Sequence, residues 1–153
     1  MRQQVTPELP VFVFGTLRPG YGNDRTWQGV AYAVHDGEAT IADHRLVTNG
    51  GFPYCLPAEG ETTTGTLIVP HPANYQEAMS YMDSLEGYPT HYNRKQIDVI
   101  TPDGTITAWY YIPDDWAYYE RLRPVTGNDW RNARLPRDEA DDFGFARSGW
   151  WSS

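Results

Sequence analysis

The chain has 153 residues, about one domain's worth, with 12 Lys and Arg against 20 Asp and Glu and a net charge of −8. That charge repels phosphate and no local basic patch offsets it, which argues against nucleic-acid coating or binding to anionic membranes. Apolar residues at 40% are too many for a disordered chain, no apolar run is long enough for a bilayer, the single Cys55 allows no internal disulfide framework, and the first residues carry no signal-peptide core, so a soluble cytoplasmic protein is expected.

Six Trp, eleven Tyr and five Phe, with 14 Gly and 12 Pro, point to a strand-rich fold with many turns. Residues 11–14 (Val-Phe-Val-Phe) read as a buried strand that stops at Gly15-Thr16-Leu17-Arg18-Pro19-Gly20, where Pro19 forbids a continuing ladder. Residues 38–47 have strand character, and Asn49-Gly50-Gly51 marks a turn. A short strand is expected at 54–56 and a Thr-rich one at 62–69, with a bulge at Gly65. Residues 73–85 read as a helix with Tyr75, Ala78, Met79, Met82 and Leu85 on one face, Pro72 at its start and Gly87 at its end. Residues 96–101 and 105–112 form a hairpin around Pro102-Asp103-Gly104, with Trp109 and Tyr111 on one face and Ile106, Ala108 and Tyr110 on the other. One domain spans 1–153. An acidic, then aromatic extension over 132–153 carries Phe143, Phe145, Trp150 and Trp151, whose expected role is to dock on the body or to join two copies of the chain.

Metal chemistry finds little support, because His35, His44, His71 and His91 are scattered without ligand spacing. Cys55 sits among Pro53, Tyr54 and Leu56, an apolar setting for an inert thiol, and no Gly-x-Ser-x-Gly elbow is present. The loop at 15–20 lacks the Gly-Lys-Ser/Thr ending of a phosphate loop. No cofactor is expected. Two features remain. The backbone N–H groups after Phe14 can converge on an anion, or form a plain strand-ending turn. Glu86 ends the helix, where the dipole disfavours its anion. Inside an aromatic pocket its pKa would rise enough for acid–base work near neutral pH, whereas on the surface it would be an ordinary helix-end carboxylate.

These stretches, in order, resemble the γ-glutamylcyclotransferase-like family, including its γ-glutamylamine cyclotransferase and AIG2-like branches. Phe14-Gly15-Thr16-Leu17-Arg18-Pro19-Gly20 is similar to its Tyr-Gly-Thr-Leu-Arg-x-Gly opening, with Phe in place of Tyr. Thr64-Gly65-Thr66-Leu67 is similar to its Gly-Glu-Leu-Tyr strand, and Ala108-Trp109-Tyr110-Tyr111 to its Ala-x-x-Tyr strand. Asp83-Ser84-Leu85-Glu86-Gly87-Tyr88, with Tyr92 and Arg94, resembles its Asp-x-Leu-Glu-Gly-Tyr signature, and Gly127-Asn128-Asp129-Trp130-Arg131 a common Gly-Asp-Trp ending. The resemblance covers residues 10–131. It implies an α+β fold, a small mixed β-barrel with one or two flanking helices. It also implies cleavage of a γ-glutamyl amide by the substrate's own α-amine, releasing 5-oxoproline. Carried over residue by residue, Glu86 is the general acid/base, Phe14 and the amides of Gly15, Thr16 and Leu17 bind the γ-glutamyl unit, and Tyr111 offers a hydroxyl to substrate. The alternatives are a non-catalytic domain that holds a small carboxylate, an interaction scaffold that works through the tail, and removal of a γ-glutamyl protecting group.

Overall fold

The computed structural model describes residues 8–50, 53–87, 92–113 and 116–132. Five strands make a closed mixed barrel: β1 (Val11–Val13), β2 (Ala31–Thr48), β3 (Pro53–Pro70), β4 (Asn93–Thr101) and β5 (Gly104–Ile112). Their order is β3-β1-β5-β4-β2, and β2 pairs again with β3, so the sheet closes and its main edges disappear. Only β1 and β5 run parallel, with Val11 beside Trp109 and the Trp109 N–H donating to the Pro10 carbonyl at 2.8 Å. The two-residue strand β6 (Arg123–Pro124) adds to the end of β2.

Strand alternation sorts the apolar side chains into two sets. Phe12, Phe14, Leu67, Val99, Ala108 and Tyr110 point inward and fill the barrel. Val11, Val13, Ile68 and Tyr111 point outward, where helix α1 (Tyr75–Glu86) covers them with Ala78, Met79 and Met82. The expected helix is present, although its first turn, Pro72–Asn74, winds as a 3-10 helix. Gly87 ends it at φ 75°, and its N–H reaches the Asp83 and Ser84 carbonyls. That left-handed geometry is why glycine follows Glu86. No helix among the described residues is long and apolar enough to cross a membrane.

Three strand expectations are corrected. The segments at 38–47, 54–56 and 62–69 belong to two strands of 18 residues each. Between Val34 and Ala39, β2 places four residues where β3 places one, and between Ala42 and His44 the excess falls on β3 instead. Local turn formers are thereby absorbed as bulges within a continuous pairing. Gly65 is not the bulge, since it stands in register with Ala39. It is glycine because a Cβ there would strike the Val13 carbonyl and come within 2.7 Å of the Phe12 ring.

The polar stretch near the end of the family-like region closes the barrel. Val125 and Trp130 join the interior cluster, and Asn128 Oδ1 accepts the Leu46 N–H at 2.9 Å. The docking expectation for the aromatic tail falls on residues 133–153, outside the described residues.

Candidate active site

The loop after β1 folds tightly because the Arg18 N–H donates to the Gly15 carbonyl at 3.0 Å. Buried side chains then fix it from two sides. Asn23 Nδ2 donates to Thr16 Oγ1 at 2.9 Å, and Trp27 Nε1 donates to the Leu17 carbonyl at 2.8 Å. Leu17 and Trp27 belong to the same outer cluster as Met82 and Tyr111. The 3-10 turn Asn23–Thr26 packs against α1. The loop and the helix therefore occupy one side of the molecule.

Glu86 is the last residue of α1 and only 1% exposed, so its carboxyl is withdrawn from bulk water at the negative pole of the helix. Tyr111 is fully buried close enough to feel its charge. Burial is the main cause that pushes the Tyr111 hydroxyl far above the usual phenol range, and the charges of Asp83 and Glu86 add to it while Arg94 opposes. The hydroxyl donates to Asp83 Oδ1 at 2.6 Å. Arg94 Nη1 holds both oxygens of that carboxylate at 2.6 Å, and the guanidinium lies 4.9 Å above the Trp109 ring. Asp83, Arg94 and Trp109 line a cleft of about 280 Å³ along the flank of α1, together with Met79, Ser80 and Ser84. Neither Glu86 nor the loop at 15–17 lines that cleft.

Among the predicted site residues, Leu17 and Tyr111 share the helix-side cluster, and Glu86 reaches Tyr111 through its charge. Thr16 is buried, and its hydroxyl anchors the loop to Asn23. Phe14 is set apart from them. Its ring points into the barrel beside Phe12, with the ring centres 6.4 Å apart, because it continues the inward alternation of β1. Asp83 and Arg94 belong to the sequence motif, and the resemblance gives them no role. The available signal was an acid three residues before Glu86, on the same helix flank, with an arginine close in sequence to receive it. Arg18, also in the motif, is fully buried and reaches across to Asp129 at 2.9 Å. Burial pushes the Cys55 thiol well above its usual range, which leaves it protonated and unreactive at neutral pH. Among the described residues no three His, Cys, Asp or Glu side chains gather where they could share a metal ion.

Residues 11–132 match the family model described as gamma-glutamyl cyclotransferase, AIG2-like. A putative gamma-glutamylcyclotransferase of Methanocaldococcus jannaschii is 28% identical over 103 residues, which is 67% of this chain and 82% of that protein. An AIG2-like protein from Mus musculus shares the fold with a TM-score of 0.61 at 21% identity, over 76% of this chain and 84% of its own. The solution structure of protein YtfP from Escherichia coli matches with a TM-score of 0.55 at 27% identity, over 85% of this chain and 99% of its own.

Proposed function

Because the chain belongs to the gamma-glutamyl cyclotransferase, AIG2-like family, we propose that it cleaves a γ-glutamyl amide by intramolecular aminolysis, releasing 5-oxoproline and a free amine. The observation that carries this reading is the withdrawal of Glu86 from water at the end of α1, on the side of the barrel where the loop after β1 also packs. A carboxyl so placed is shielded from bulk water, where a positioned acid–base group can pass protons to and from a bound substrate.

In this reading the substrate's α-ammonium lies against the Glu86 carboxylate, which takes one proton. The freed amine attacks the γ-carbonyl carbon of the same molecule and closes a five-membered ring. The amides of Gly15, Thr16 and Leu17 receive the substrate carboxylate or the developing oxyanion. As the tetrahedral centre collapses, the bond to the departing nitrogen breaks and Glu86 supplies it with a proton. Two protons pass in all from the attacking nitrogen to the departing one, and a single carboxyl can carry each in turn. Attack within one molecule means that much of the catalysis is orientation, worth up to about 7–11 kcal/mol in model systems. Positioned proton transfer adds roughly 10²–10⁴-fold, and one oxyanion donor about 10²-fold or more. The identity of the departing amine is left to a panel of substrates, and a cytoplasmic setting is proposed with the same reading.

The test is 5-oxoproline release from γ-glutamyl amines, γ-glutamyl peptides and larger γ-glutamyl amides, measured by mass spectrometry. Glu86→Gln is expected to keep the melting temperature and to lose about 10²-fold or more in kcat. Undiminished release in that variant overturns the assignment. Saturable binding of 5-oxoproline by the wild type with no release from any substrate supports the non-catalytic carboxylate-binding domain instead.

A further inference from the structure

Three side chains from three elements meet beside Glu86. Tyr111 comes from β5, Arg94 from β4 and Asp83 from α1. The Tyr111 hydroxyl proton goes to Asp83 Oδ1 at 2.6 Å, and Arg94 Nη1 grips both oxygens of the same carboxylate. A phenol has one proton to give, and here it is given. Its acceptor carboxyl is clasped by the Arg94 guanidinium, which makes the bond directional.

The geometry points to Asp83 and Arg94 as positioning residues: they take up the Tyr111 hydroxyl, so that Tyr111 acts as a strut fixing the end of α1, and with it the Glu86 carboxyl, rather than as a hydrogen-bond donor to substrate. This deepens the proposed function and rests on it for the catalytic consequence. It changes the role the sequence resemblance gives to Tyr111. The oxyanion is then left to the loop amides.

The strut follows from how the barrel and helix are joined. The helix touches the outer face of the sheet mainly through Ala78, Met79 and Met82, which are apolar and set no exact height for the helix end. The triad supplies that fixed point one turn before Glu86, and the Arg94 guanidinium packs over the Trp109 ring of β5. Trp109 is itself held, because its Nε1 donates to the Tyr75 hydroxyl at 3.2 Å at the other end of the same helix. A displacement of the helix end by a fraction of an ångström would misplace the proton acceptor while leaving the substrate's binding groups in place.

Two measurements on Tyr111→Phe, Asp83→Asn and the double variant test this. In the first, kcat and KM are measured for 5-oxoproline release from γ-glutamyl-alanine, the ε-γ-glutamyl derivative of lysine and γ-glutamyl methylamide. Each single variant is expected to lose about 10-fold to 10²-fold in kcat with KM within about twofold, and the double variant no more than the worse single. Asp83→Glu, which keeps the charge, is expected to recover part of the kcat. A rise in KM as the main effect of Tyr111→Phe, or multiplying losses in the double variant, overturns the inference and returns the hydroxyl to substrate binding. In the second, the carboxyl carbon resonance of Glu86 is followed by NMR in the same proteins without substrate. Coupled displacements in both single variants, with no further change in the double, support the strut even if the wild type turns over none of these amides. In that outcome the proposed function fails and the strut stands. An unmoved resonance overturns the strut whatever the kinetics show.

Discussion

Arg18 has no exposed surface, and its guanidinium is only partly matched. One terminal nitrogen donates to Asp129 at 2.9 Å, the other stands 3.9 Å from the half-exposed Asp36, and among the described residues neither that nitrogen nor Nε has a hydrogen-bond acceptor. A buried ion carries a desolvation cost that an incomplete set of partners does not fully offset. Breaking the pair from the acidic side should therefore be worse than replacing the cation by an apolar side chain of similar length. Asp129→Ala is expected to cost about 3–5 kcal/mol, because it strands a fully buried charge, and Arg18→Met clearly less. Urea midpoints of the two variants decide this. If Arg18→Met proves the more damaging, the cation is stabilising on its own account and its desolvation is fully offset by its partners. In the sequence Arg18 read only as part of a loop motif. Nothing local to residues 15–20 announces a partner more than a hundred positions away, which only the closing segment of the barrel supplies.

At the scale of elements, periodicity was readable where one face is buried and the other is not. Along 105–112, Tyr111 and Trp109 take the helix side, while Ala108 and Tyr110 take the interior. The helix face from Tyr75 to Met82 was equally clear. What local pattern could not supply was the length of the β2–β3 hairpin. Asp36-Gly37 and Gly60 carry turn chemistry, and Gly37 and Gly60 do adopt φ of 78° and 83°, yet the pairing continues past them because tertiary pairing overrides local preference. The burial of Glu86 was legible only through the family resemblance, since a lone helix-end glutamate is ordinarily solvated. Gly65 and Gly60 separate the two reasons for glycine. Gly65→Ala forces a methyl against the Val13 carbonyl and the Phe12 ring, and is expected to cost about 1–3 kcal/mol or more. Gly60→Ala meets nothing within 4 Å and should cost about 1–2 kcal/mol from its backbone angle alone. Asparagine, which tolerates the left-handed region, should recover stability at position 60 and not at 65. Equal recovery at both would refute the distinction between crowding and backbone strain.

For the molecule as a whole, closure makes stability a joint property of strands far apart in sequence, and His44 shows how pH enters it. Its ring sits between β2 and β5, only 7% exposed. Nδ1 lies 2.8 Å from the Ala42 carbonyl, which can only accept, so Nδ1 carries the proton; Nε2 then accepts from the Tyr110 hydroxyl, also at 2.8 Å. The neutral ring satisfies both neighbours. A second proton would turn Nε2 into a donor, and the Tyr110 hydroxyl would have to turn and accept from it, giving up the ring nitrogen as its own acceptor. Burial lowers the His44 pKa from its ordinary 6.5, with the Ala42 carbonyl and Asp43 opposing only in part. The sign follows from linkage. Between the ordinary value and the lowered one, the unfolded chain binds the proton more readily than the folded chain, so unfolding becomes easier as pH falls. The contribution is complete above 6.5 and is lost progressively below it, down to the depressed folded-state value. Urea midpoints measured from about pH 8 to about pH 5 should therefore decline on the acid side in the wild type. The decline should be shallower in His44→Gln, which keeps a hydrogen-bonding group toward Tyr110 without a titrating one. The difference between the two curves isolates this ring from carboxylates that titrate further down. Parallel curves would mean that protonation of His44 is accommodated inside the closed barrel, and that the β2–β5 contact is no lever on its stability.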